Sequence, residues 1–511
     1  MASPNPPSLR PWTWEDLHFV LIPLMCPGHL IPMVDIACLI AQHRVLVTVA
    51  TTPANTARVQ ATVIRATALG LPIRILEVEF PAKQAGLPEG CENVDALPSM
   101  ALVRNFMAAT EMLRLPIERR IREDAATPPP SCIVSDRNLA WTADLADDLD
   151  IPRVVFDGMS CFTHLCMHNL QLHKPHEKGA GRSELFTVPE MPRRVDFTVA
   201  QLPGNFNPPS NIDIQDIRER TRESAERAHA VIINSFDELE LEYIAAYRKV
   251  VRGGRAWCVG PVSLCNKTAV GMRQRGNSCT AADETAGLIA WLDSHKPGSV
   301  IYACLGSLNR VGPAQMMEMG RGLESSRSPF VWVIRGANRG EELDRWLSED
   351  QFEERNRGRG LVVRGWAPQV LILSYPSIGG FLTHCGWNST LEGVAAGVPM
   401  VTWPLFAEQF FNEKVVVEVL GVGVGVGAEE VIHLGEEDKY GVTVRAEAIR
   451  DAVVKVMSGG GEGAERRRRA RELAKMAAEA TEEGGSSAVN MRTLIDYIKE
   501  QRGARTSRRI K

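Results

Sequence analysis

His384-Cys385-Gly386-Trp387-Asn388-Ser389 follows a short apolar run and leads into a helical stretch, a place where a chain offers free backbone N–H groups to a diphosphate. The same turn sits in the middle of a longer segment. Trp366 opens that segment with an aromatic face that can stack on a base, and Glu408-Gln409 closes it with an acid and an amide suited to sugar hydroxyls. In that order the three chemistries read as a sugar-nucleotide site. A second constellation lies far upstream, where Pro27-Gly28-His29 follows the first apolar run and Asp136 ends Cys-Ile-Val-Ser-Asp. An acceptor hydroxyl is a poor nucleophile, so a neutral imidazole that takes its proton as the new bond forms would act as a general base. A carboxylate behind the ring would hold its tautomer and stabilise the imidazolium.

These side chains need elements to carry them. Short apolar runs at His18–Leu24, Leu46–Thr52, Arg74–Phe80, Cys132–Ser135, Arg153–Phe156 and Val231–Asn234 alternate with longer mixed segments suited to helices. The rhythm resumes at Val300–Leu305, Phe330–Ile334, Leu361–Arg364, Gly380–Thr383 and Met400–Trp403. This predicts an α/β chain of two doubly wound parallel-sheet domains facing a cleft. The expected division is 12–262, a polar aperiodic linker over 263–284, a second domain over 285–490, and a C-terminal helix and tail over 491–511 that can pack back on the first domain. In open α/β sheets ligands gather beyond the carboxyl ends of the strands, which is where His29, Asp136, Ser307 and His384 fall.

Composition narrows the partners. With 511 residues, 44% hydrophobic, the chain is too long for one core. A formal charge of -4 gives no basic excess for nucleic acid or an anionic membrane, and small molecules are the expected partners. Eleven cysteines, odd in number and without a C-x-x-C pair, signal neither a disulfide framework nor a zinc ribbon and fit a reducing, cytoplasmic compartment. Residues 1–11 lack signal-peptide architecture, and no apolar run reaches the roughly 18 residues that span a bilayer.

Several motifs have plainer readings. Ser389-Thr-Leu-Glu392 is also a capping box. His164 and His168 are spaced i, i+4 with His173 and His176 nearby, yet no carboxylate on that helix completes a set, and no metal site is expected. Asp148-Leu-Asp150 reads as a solvated helix end, Arg466–Arg469 as an exposed helix face, and the Gly421–Gly427 alternation lacks G-x-G-x-x-G spacing. The first strand likewise runs into Leu24-Met-Cys-Pro-Gly-His29, which is no dinucleotide fingerprint.

The segment from Trp366 to Gln409 closely resembles, without a gap, the signature box of plant UDP-dependent glycosyltransferases of family 1, whose fold is GT-B with two Rossmann-like domains. The resemblance extends to Phe80-Pro81, Gly86–Asn93, His173–Glu177, Gly306-Ser307, Trp403–Phe406 and Phe410–Lys414. It implies that His29 is the base and Asp136 its partner. It further implies that Trp366 stacks on the uracil with Ala367 and Gln369 at its edge, and that Glu392 takes the ribose hydroxyls. His384, Asn388 and Ser389 would contact the diphosphate, Ser307 and Gly386 would belong to the same donor site, and Trp387, Glu408 and Gln409 would contact the hexose. Gln409 goes with glucose in this family, and histidine there with galactose. The implied activity is inverting transfer of glucose from UDP-glucose to a hydroxyl of a small lipophilic flavonoid, terpenoid, steroid or phenolic, without cofactor or metal, by a monomer. Met25, Trp141, Met159, Phe162 and Phe406 are candidate acceptor contacts. Departures from the family pattern are Pro27, Cys38, His43-Arg44, Leu305 and Glu408; Pro27 removes one amide side chain and one N–H from the base's loop.

Overall fold

A computed structural model describes residues 16–178, 181–209, 213–276, 282–335 and 340–510. Residues 12–15 of the expected first domain, 277–281 of the expected linker together with Cys279, and Lys511 lie outside the described residues.

The first half builds β1 (His18–Ile22), β2 (Leu46–Thr51), β3 (Ile73–Glu77), β4 (Cys132–Asp136) and β5 (Arg153–Asp157). After an antiparallel hairpin of β6 (Phe186–Thr187) and β7 (Asp196–Phe197) come β8 (Ala230–Ile233) and β9 (Ala256–Cys258). The main sheet runs β3-β2-β1-β4-β5-β8-β9 with every pairing parallel. Its central strands are buried along their whole length and apolar in their middles because helices cover both faces; Phe19, Val20, Leu21, Ile133 and Val134 are wholly buried. The second half gives β10 (Val300–Cys304), β11 (Phe330–Ile334), β12 (Gly360–Arg364), β13 (Ile378–Thr383), β14 (Met400–Thr402) and β15 (Gly423–Gly425), ordered β12-β11-β10-β13-β14-β15 and again all parallel.

In both sheets the strand order reverses beside the first strand, between β1 and β4 and between β10 and β13. At such a switch point the connecting helices leave to opposite faces and open a crevice beyond the strand ends. His29 lies past β1 and Asp136 ends β4; Ser307 lies past β10 and His384 past β13. Topology therefore sets both candidate constellations at crevices.

Four strands were not expected, the β6–β7 hairpin, β9 and β15. β9 and β15 are only three residues long, and β15 arises within the Gly421–Gly427 alternation as an edge strand paired with Met400–Thr402. The C-terminal helix runs Ser486–Ile510, and Met491, Leu494, Ile495 and Ile498 join the core of the first sheet. Ser487 and Asn490 tie it to the Gly260 and Cys258 carbonyls. Arg44, in one of the departures from the family pattern, takes the left-handed region at φ 61. Among the described residues no helix is long and apolar enough to cross a membrane.

Candidate active site

The helix Pro27–Ala41 carries the candidate base in its first turn, and Pro27 occupies a first position where its missing N–H is one the helix would leave unpaired anyway. The N–H lost at Pro27 is thus absorbed by the helix start. His29 Nδ1 meets Asp136 Oδ2 at 2.6 Å, with Asp136 buried and the imidazole about a third exposed (32%) toward the cleft. Asp136 Oδ1 is held by the Asn138 backbone N–H (2.9 Å) and side-chain amide (3.0 Å). Burial pushes the His29 pKa down, but the charge and hydrogen bond of Asp136, backed by Asp157 and Glu408, more than offset this and set it above 6.5. The neutral ring is the active form of a base, so kcat/KM is expected to fall on the acid side through that raised pKa. Asp136→Asn removes the main raising influence, so the acid limb should move to lower pH while the plateau drops. A pH–rate profile in which the limb stays put or moves upward would sink this pairing.

Across the cleft the phosphate turn follows β13. Cys385 adopts φ 64, and Asn412, wholly buried, donates to the Cys385 carbonyl at 2.9 Å while accepting from Thr163 of the first domain at 3.1 Å. The following helix spans Trp387–Ala396 with Gly386 as its N-cap and no side chain capping its first turn. It starts three residues earlier than Ser389-x-x-Glu392 would require of a capping box, so Ser389 lies inside the helix and that reading fails. The first-turn N–H groups face the cleft uncapped, as anion sites require.

His384 sits between two glycines. A Cβ on Gly306 (φ +83) or on Gly386 would come within 2.5 Å of its ring. Burial, and then the charge of Arg335, lower its pKa to about 4, so it is neutral at pH 7, and its Nδ1 is buried with no protein partner. Asn388 Nδ2 donates to the Gly28 carbonyl at 2.6 Å. That carbonyl is free because Pro32, four residues on inside the helix, has no N–H to give it. Asn388 Oδ1 in turn accepts from Asn234 at 3.0 Å, and the Trp387 indole N–H reaches the Asn234 carbonyl at 2.7 Å.

Arg335 lies over the Trp366 ring at 4.4 Å from its centroid, and Ala367 is buried beside it. Gln369 donates to Ser389 Oγ (3.0 Å) and to Glu392 Oε2 (2.7 Å). The Gln409 carbonyl oxygen accepts from the backbone N–H groups of Leu405 (2.9 Å) and Phe406 (3.0 Å), leaving its NH2 for a ligand. Glu408 stands next to it, its pKa raised by burial.

One cavity of about 1290 Å³ takes in His29, Ser307, Trp366, Ala367, Gln369, His384, Gly386, Trp387, Asn388, Ser389, Glu392, Glu408 and Gln409. Of the candidate acceptor contacts, Met159 and Phe406 line it. Met25, Trp141 and Phe162 do not: they are 0%, 6% and 0% exposed and pack into the first domain's cores, Phe162 edge-on to Tyr243 at 5.1 Å. Being large and apolar, they are core side chains that one sequence does not separate from pocket ones. The cavity wall instead includes Val103, Met107, Met167 and Phe206, and a polar corner where Arg137 meets Asp157 at 2.8 Å. His164, expected to be structural, stacks on Tyr247 and has its pKa lowered by burial to about 4. Among the described residues no three His, Cys, Asp or Glu side chains group as metal ligands, and Asp148 pairs with Arg114.

Residues 271–438 match the family model described as UDP-glucoronosyl and UDP-glucosyl transferase. The chain is 48% identical over 487 residues to UDP-glycosyltransferase 73C5 of Arabidopsis thaliana, covering 95% of this chain and 97% of that one. It is 47% identical over 488 residues to UDP-glycosyltransferase 73E1 of Stevia rebaudiana, with 95% and 97% covered. Among solved structures, Glycyrrhiza uralensis UGT73P12 complexed with glycyrrhetinic acid 3-O-monoglucuronide superposes with a TM-score of 0.89 at 34% identity, covering 97% of this chain and 98% of that one.

Proposed function

The chain belongs to the plant UDP-glycosyltransferase family, with the GT-B fold, and from that premise we propose that it is an inverting, metal-independent glucosyltransferase acting from UDP-glucose on a hydroxyl of a small lipophilic metabolite, flavonoid, terpenoid, steroid or phenolic. The observation that carries this reading is the placement of the His29–Asp136 pair and the uncapped Trp387–Ala396 helix on one cavity. Pockets for a single drug-sized molecule span roughly 300–1,000 Å³, so a cavity of about 1290 Å³ has room for donor and acceptor together.

His29 takes the acceptor proton, the acceptor oxygen attacks the anomeric carbon from the face opposite the leaving UDP, and the product is the β-glycoside. Charge building on the diphosphate is met by His384, Asn388, Ser389 and the helix N-terminus, which do electrostatically what a divalent ion does elsewhere. Trp366 receives the uracil between Ala367 and Gln369, Glu392 the ribose, and Ser307, Gly386 and Trp387 the phosphate and sugar edge. The apolar wall of Val103, Met107, Met159, Met167, Phe206 and Phe406 supports a lipophilic acceptor. The glycosylated ligand held by UGT73P12 supports a polycyclic one. Among the described residues ten cysteines are free thiols, nine of them buried, which fits a reducing, cytoplasmic compartment.

The proposal of glucose rests on Glu408 and Gln409 and on the family resemblance at Gln409. The carboxylate only accepts, and the amide, its oxygen already taken, only donates. An epimer that misdirects one hydroxyl leaves a partner unpaired, at about 1–3 kcal/mol in a dry site, or roughly 5- to 150-fold in kcat/KM. A competition assay with purified protein and a panel of phenolic and terpenoid acceptors should show UDP-glucose used faster than UDP-galactose or UDP-glucuronate, with activity surviving a chelator and Gln409→Ala cutting glucose transfer about tenfold or more. Faster use of either rival donor, or an α-linked product, would overturn the assignment.

A further inference from the structure

Arg275 belongs to the polar stretch between the domains, yet its side chain is 9% exposed and its guanidinium joins one buried carboxylate from each domain. Nε donates to Asp35 Oδ2 at 2.7 Å, and Nη1 donates to Glu392 Oε1 at 2.5 Å. Asp35 is 1% exposed and lies on the helix Pro27–Ala41, which carries His29. Glu392, 7% exposed, lies on the helix Trp387–Ala396, whose first turn faces the diphosphate position. Both carboxylates have a second holder: Asn266 Nδ2 reaches Asp35 Oδ1 at 2.8 Å, and Gln369 Nε2 reaches Glu392 Oε2 at 2.7 Å.

A carboxylate has about four lone-pair directions, so Glu392 with one donor on each oxygen still has capacity for two hydroxyls. What the two donors fix is the plane in which that capacity lies. A guanidinium suits this because it is planar, stays charged, and grips two carboxylates from separate edges. We propose that Arg275 is a positioning residue for the donor: it sets the Glu392 carboxylate to accept the ribose hydroxyls, and through Asp35 it ties that setting to the helix bearing the base. The inference rests on assigning the ribose to Glu392. The strut spans the cleft, so ordering of the donor side and placement of His29 share one buried contact.

Removing the guanidinium outright would leave two carboxylates buried beside each other, which can prevent folding. Arg275→Lys keeps the charge, but an ammonium on a single stem lacks the fork that bridges both partners. The test titrates UDP and 2′-deoxy-UDP calorimetrically into the full chain. Wild type should prefer UDP by about tenfold or more, the range for a hydrogen bond to a charged group. In Arg275→Lys the preference should shrink to about threefold or less, with the donor KM raised and the acceptor KM unmoved. Asp35→Asn, which leaves the Glu392 contact in place and frees the far end of the strut, should reduce the preference and lower kcat, and it carries the same test if the lysine variant does not fold. A merely structural arginine would weaken both nucleotides alike, so a preference undiminished in these variants overturns the proposal alone. A wild type that does not distinguish the two nucleotides overturns the ribose assignment and the proposal with it.

Discussion

His29→Ala is expected to lower turnover on an unactivated hydroxyl acceptor by about 10²–10⁴-fold, the usual contribution of a positioned general base. UDP affinity should be nearly unchanged, because the imidazole lies on the first sheet's crevice and is bonded to Asp136 rather than to any group of the nucleotide side. The acceptor matters to the test. A strongly acidic phenol or a thiol ionises with little help, so the comparison needs an aliphatic or ordinary phenolic hydroxyl. Parallel measurement of kcat and of UDP binding separates the roles: a base removed costs kcat, while a binding group removed would cost affinity. Near-normal turnover in the alanine variant would refute the base assignment.

The position of the candidate base was legible in the sequence, and its proposed role came from the family resemblance. Hydrophobic periodicity ends the first strand just before it, and β1 and β4, which flank the reversal in strand order, bring Asp136 within 2.6 Å of a ring 107 residues away in sequence. Periodicity located most of the other strands for the same reason: a parallel sheet covered on both faces demands unbroken apolar runs. It failed at β6, β7, β9 and β15, which are two or three residues long and too short to show a period, and the composition of β15 also reads as a turn. The start of the helix at Trp387 was missed because Ser389-x-x-Glu392 imitates a capping box, and the backbone turn at Cys385 and Gly386 that moves the start forward leaves no side-chain signature. Arg275 was invisible for a different reason. Its neighbours are polar and aperiodic, and only tertiary structure shows that a linker arginine lies between two buried carboxylates. Arg335 and Asn412 are alike in this: each acts on a site residue distant in sequence, Trp366 for one and Cys385 for the other. The acceptor contacts were the least legible, since Met25, Trp141 and Phe162 have the right chemistry for a lipophilic wall and are buried in the cores instead.

His384→Ala is expected to lower kcat by about 10²–10³-fold, the effect of deleting one preorganised donor aimed at leaving-group charge. The ring is well placed for that role. Gly306 and Gly386 leave room for it where any Cβ would come within 2.5 Å, so its orientation is fixed before substrate arrives. Its Nδ1 has no protein partner, and a buried nitrogen left unpaired costs stability unless a ligand satisfies it. With its pKa lowered to about 4, first by burial and then by Arg335, His384 is a neutral donor across the working range and does not itself titrate near neutrality. The acid limb of the pH profile should therefore survive the substitution with its midpoint unmoved, because it belongs to His29. Gly306→Ala offers a second route to the same defect: the added methyl displaces the ring and strains a backbone at φ +83, so kcat should fall while the Asp136–His29 pair is untouched. Single-turnover rates for wild type and both variants check this. A His384→Ala enzyme within about threefold of wild-type kcat would show that the helix N-terminus and Asn388 carry the leaving charge alone.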